Sequence, residues 1–138
     1  MGNDIKVTEE YLFPSMVWYA DIDGAQAMNI KLTEGVADLR TKVKSVKRSN
    51  ELGWHSPTNM HKRDLFAPLC DCINAMAGTV ADSMSMRKDR RFVIETFWVN
   101  ISPKYAYNAL HEHPQSVLSG VYYLQVDDKS GSLRFRDP

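Results

Sequence analysis

The apolar residues of this chain change their spacing once, and that change dictates the class of fold. Met28, Leu32, Val36, Leu39, Val43 and Val46 step by three or four, which predicts a helix over residues 25–47. Lys42, Lys44, Lys47 and Arg48 crowd its C-terminal end, where cations complement the helix dipole. Leu65, Leu69, Ile73, Met76 and Val80 draw a second stripe, predicting a helix over 65–84 capped by Asp64, with Pro68 in its first turn. After the basic turn Arg87-Lys88-Asp89-Arg90-Arg91 the pattern becomes β-branched and aromatic. Residues 92–101, 117–126 and 132–136 read as strands, joined by a turn over 102–106 and a hairpin loop over 127–131. An earlier strand is expected over 11–22, with Pro14 near its start. Residues 49–62, with Gly53, Pro57 and Asn59, read as a polar loop holding Trp54, His55 and His61. A strand, two helices and then an antiparallel sheet make an α+β arrangement, with the helices covering one face of the sheet.

Composition removes several functional classes. At 138 residues the chain is expected to be a single domain, 1–138, large enough for one core. Seventeen basic residues balance seventeen acidic ones, so no net field draws it to nucleic acid or to an anionic membrane. No apolar stretch approaches the roughly 20 residues that span a bilayer, and the N-terminus lacks a secretory apolar core. A cytoplasmic location is the expectation. The two cysteines, Cys70 and Cys72, lie on different sides of the second helix and read as small semi-buried hydrophobes rather than a metal or redox pair.

The chemistry is concentrated in Asn108-Ala109-Leu110-His111-Glu112-His113-Pro114. Residues i and i+2 of an extended chain point to one side, so both imidazoles could reach one ion. Imidazole suits iron, zinc, copper and nickel. Carried along the strand, the same parity puts His111, His113, Val117, Ser119, Val121 and Tyr123 on one side, with Gly120 opposite. That spacing places Ser119 and Tyr123 below the histidines, lining a small pocket, and lets Asn108 hold a ligand histidine by its second ring nitrogen. A histidine pair alone cannot complete a site, since tight retention needs three or more protein ligands.

The pattern Asn108-x-x-His111-x-His113-Pro114-x-Ser116-x-x-Ser119-Gly120-Val121-Tyr122-Tyr123-Leu124, followed by Gly131-x-Leu133-x-Phe135-x-Asp137-Pro138, resembles a family of 2-oxoglutarate/Fe(II)-dependent oxygenases found in marine bacteria and their phages. The likeness extends upstream to Phe13-Pro14-x-x-Val17-Trp18, Gly53-Trp54-x-Ser56 and Trp98-x-Asn100. It implies a double-stranded β-helix, a jelly-roll or cupin-like barrel, with the two helices packed outside the sheet. It implies Fe(II) and 2-oxoglutarate as cofactors and hydroxylation of a small-molecule or peptidyl substrate. His111 would be the first iron ligand. His113 falls where most related oxygenases carry aspartate, so either a three-histidine site forms or His113 supports one completed by a carboxylate such as Asp137. Ser119 and Tyr123 would serve the cosubstrate. The distal histidine and the basic partner of 2-oxoglutarate have no counterpart here, so the chain resembles the N-terminal two-thirds of such an enzyme. A barrel so incomplete has an open sheet edge, which invites a homo-oligomer. The alternative is a noncatalytic half-barrel acting as a binding or oligomerisation module.

Overall fold

The computed structural model describes residues 6–11 and 14–136. The first helix, α1, spans Gln26–Lys42 and buries Leu32, Val36 and Leu39, the centre of the expected stripe. It ends five residues earlier than its apolar spacing predicts. The chain from Val43 is captured in extended form instead: the Trp54 indole N–H donates to the Val43 carbonyl at 3.0 Å, and the Val46 N–H to the His55 carbonyl at 2.9 Å. The second helix, α2, spans Ala67–Ser83 and buries Leu69, Cys70 and Val80. A 3₁₀ turn, Asp64–Phe66, precedes it, so Phe66 rather than Asp64 stands at the cap and Asp64 makes no capping bond. Pro68 lies in the first turn, where its missing N–H costs nothing.

Residues 49–62 are not a loose polar loop. They contain β1 (Asn50–Glu51), β2 (Trp54–His55) and a 3₁₀ turn at Met60–Lys62. Asn50, Trp54, His55, Ser56 and Met60 are all buried. Polarity misleads here because these side chains satisfy the chain's own backbone. Asn50 accepts from the Arg48 N–H at 2.7 Å and donates to the Gly53 carbonyl at 3.0 Å. Ser56 accepts from the Val99 N–H at 2.9 Å.

Two antiparallel pairs complete the architecture. β2 pairs with β3 (Asn100–Ile101), setting Trp54 opposite Ile101 and His55 opposite Asn100. β1 pairs with β4 (Tyr107–Asn108), setting Asn50 opposite Asn108. Gly53 permits this layering, because a Cβ there would stand 3.1 Å from the Ile101 carbonyl oxygen. The core lies between α1, α2 and this small sheet layer, built from Leu32, Val36, Leu39, Trp54, Met60, Phe66, Leu69 and Cys70.

The chain is therefore α+β, and no closed barrel forms among the described residues. Of the expected strand 92–101 only Asn100–Ile101 is laddered, with Phe97 in an isolated bridge to Asn59. The segments 14–22, 117–126 and 132–136 form no strand. A strand exists only where a second backbone accepts its hydrogen bonds, and β propensity cannot supply that backbone. The 127–131 turn itself forms as expected: Asp127 accepts from the Lys129 N–H at 2.9 Å and the Ser130 N–H reaches its carbonyl at 3.0 Å. Among the described residues, no helix is long and apolar enough to cross a membrane.

Candidate functional site

The alternation predicted for residues 117–124 is present, facing the other way. Tyr122 and Leu124 pack against the core, and the Tyr122 hydroxyl donates to the Asn29 side-chain oxygen of α1 at 2.7 Å. Val117, Ser119, Val121 and Tyr123 are on the outward side and exposed. Ser119 and Tyr123 thus stand on an open face rather than inside an enclosed wall. Asp137 lies outside the described residues.

His111 and His113 do come together, though not as strand neighbours. Their ring centroids are 4.8 Å apart, nearly perpendicular at 81°, and both side chains are exposed. A tight turn shapes this segment: Gln115 takes a left-handed φ of 71°, and the Ser116 N–H donates to the His113 carbonyl at 3.2 Å. The Nδ1 of His111 lies 2.7 Å from the Ala109 carbonyl oxygen. A carbonyl can only accept, so Nδ1 carries the proton, and in the neutral ring Nε2 keeps a lone pair. Asn108 does not make that bond; it is held in β4 opposite Asn50.

Behind His113 the rings continue inward. The Trp98 ring lies 5.5 Å from that of His113, tilted by 33°. On its buried side it stacks on His55 at 5.6 Å and 10°. Three of the chain's four histidines therefore share one column of rings around a single indole. His55 is almost wholly enclosed, and its Nδ1–H donates to the Ser56 carbonyl. Burial pushes its pKa below the ordinary value, and the nearby Arg48 charge acts in the same direction. His61 stands apart from the column, with its Nδ1 buried and unpartnered.

Sequence reasoning passed over His55 and Trp98 as site residues. Both sit inside short blocks, Gly53-Trp54-x-Ser56 and Trp98-x-Asn100, whose joint purpose is visible only in the β2–β3 pairing. The cysteines contribute nothing to the site. Cys70 is buried in the core with its thiol pKa pushed up by burial and by Asp71, and Cys72 is half-buried.

The donor set can be tested against a metal. Two adjacent imidazoles, one fixed as the tautomer that offers Nε2, suit a borderline transition-metal ion. The pair fits as two ligands. No third histidine, cysteine, aspartate or glutamate joins them in a metal-binding group among the described residues.

Residues 96–138 match the model of a family described as "Putative 2OG-Fe(II) oxygenase". The matched segment holds Trp98, β3, β4, the histidine pair and the outward face beyond it. No curated protein matches the chain, and no solved structure does.

Proposed function

We propose that this chain is an oxygenase of the 2-oxoglutarate- and Fe(II)-dependent kind, acting as a hydroxylase on a small-molecule or peptidyl substrate. One coincidence supports the reading: the segment similar to that family is also the segment in which two imidazoles meet with a nitrogen lone pair free. His111 and His113 would hold the ion. When bound, ferrous iron with 2-oxoglutarate supplies the activation of oxygen that no protein side chain provides. The rest falls to this chain's own groups. The Ala109 carbonyl holds the His111 ring in the ligating tautomer. Ser119 and Tyr123, on the open face beyond, offer hydroxyl donors to the cosubstrate carboxylates. The carboxylate of Asp137 is assigned to completing the ligand set.

The test uses the full chain with ferrous iron and 2-oxoglutarate. A rise in thermal midpoint without oxygen, and succinate formation in air, are the expected results. Absence of both would overturn the reading. His111→Ala should abolish iron retention while leaving the unfolding transition cooperative; undiminished retention would refute the ligand assignment.

A second reading has its own support. Val117, Val121, Val126, Leu133 and Phe135 leave exposed apolar side chains on a stretch that forms no strand. Such a segment suits a noncatalytic half-barrel that binds a partner or a second copy through its open edge. A strictly monomeric chain in size-exclusion chromatography would count against it.

A further inference from the structure

We infer that Trp98 is a positioning residue for metal binding, aiming the imidazole of His113 by ring contact. The inference rests on the assignment of His111 and His113 as ligands. The two histidines are held by different means. His111 is fixed through Nδ1 by the Ala109 carbonyl, whereas no side-chain hydrogen bond fixes His113 among the described residues. A ligating ring without a hydrogen-bonded partner needs another constraint to keep its lone pair on target. The ring contacts of His113 are with His111 and with Trp98.

Trp98 is built to be that constraint. Its backbone neighbours, Phe97 and Val99, are clamped by the 56–60 segment, in which Ser56 and Met60 are buried. The Phe97 N–H donates to the Thr58 carbonyl at 2.9 Å, and the Met60 N–H to the Phe97 carbonyl at 3.0 Å. The Val99 N–H donates to Ser56 Oγ at 2.9 Å, and the Ser56 N–H to the Val99 carbonyl at 3.0 Å. Its ring is backed by His55, stacked nearly parallel to it and itself fixed by the bond to the Ser56 carbonyl. The half-buried indole thus transmits the rigidity of the core to an exposed ligand. Packing alone would be met by any apolar side chain; orientation requires a flat ring at this place.

The experiment uses Co²⁺ alone as the probe. Titration calorimetry gives affinity, and tryptophan emission reports the distance of the open-shell ion from each indole. In the unmodified chain Co²⁺ should bind and quench emission saturably, and His111→Ala or His113→Ala should lose both effects. Trp98→Ala should weaken Co²⁺ binding by about 10-fold, as expected when the group orienting a ligand is removed. Trp98→Phe keeps a flat ring and should restore most of that affinity. Thermal unfolding of each variant shows that the fold persists. Unchanged affinity in Trp98→Ala, or no recovery of affinity in Trp98→Phe, would refute the role of Trp98 while leaving the ligand assignment intact. Unchanged binding in both histidine variants would instead bring down the ligand assignment, and this inference with it.

Discussion

The imidazole of His55 is enclosed between β2 and the Trp98 ring, and enclosure disfavours its charged form. Its folded pKa lies below the ordinary 6.5, so as pH falls the unfolded chain takes up the proton first. Its contribution to stability is complete above about pH 6.5 and is lost as pH falls from there towards the folded value. Urea midpoints should therefore drop between pH 7.5 and pH 5.5, and His55→Gln should flatten that drop; an equal drop in the variant would show that other groups carry it. Ser56 beside it tests the hydrogen bonds. Ser56→Ala leaves the Val99 N–H without its acceptor at a fully buried position, which should cost roughly 1–3 kcal/mol in chemical denaturation. Spacing singled out His111 and His113 as candidates, on the premise of a strand that residues 111–113 do not form. The importance of His55 and Ser56 was not readable from spacing, because a polar residue is recognised as buried only when its partner is known: Ser56 bonds Val99, 43 positions away, and His55 stacks on the equally distant Trp98.

The elements were legible in proportion to how local their causes are. Both helices follow from stripes of apolar residues, since each turn is stabilised by its own neighbours. The strands depend on distant partners, and residues rich in valine and tyrosine announced more sheet than the chain builds. Crossing of elements leaves its own trace in Gly35. A Cβ on this α1 residue would come within 2.5 and 2.8 Å of the two methyl groups of Leu65, so that side chain must shift before anything larger than glycine fits. Gly35→Ala gains roughly 1 kcal/mol of helix propensity but overpacks Leu65, for a net loss of about 1 kcal/mol. In a Leu65→Ala background the clash disappears, and the same substitution should become stabilising. The double-mutant cycle reads this sign change directly, and simple additivity would disprove the close packing as its cause.

At the scale of the whole molecule, the groups proposed for chemistry and the apolar surface lie on the same outward side. Ser119 and Tyr123 alternate with Tyr122 and Leu124, which anchor the segment to α1, so everything not used for anchoring faces outward. Beyond β4 the backbone–backbone bonds of the described residues are few: Ala109 to Ser49, Ser116 to His113, and Ser130 to Asp127. The remaining donors and acceptors of residues 117–126 and 132–136 can be satisfied by water or by another strand. With Val121 at 62% and Phe135 at 73% exposure, pairing with a strand also removes apolar area from water, so association is favoured. The purified chain should therefore shift towards dimers or larger species as its concentration rises, seen by light scattering coupled to size exclusion. Val121→Lys with Phe135→Lys should return it to monomers without lowering its thermal midpoint, because neither side chain contributes to the buried core. Persistence of the larger species in that variant would place the contact elsewhere. A covered outer face would also enclose Ser119 and Tyr123, so metal and cosubstrate affinities measured on dilute and concentrated samples should differ in the same direction as the association.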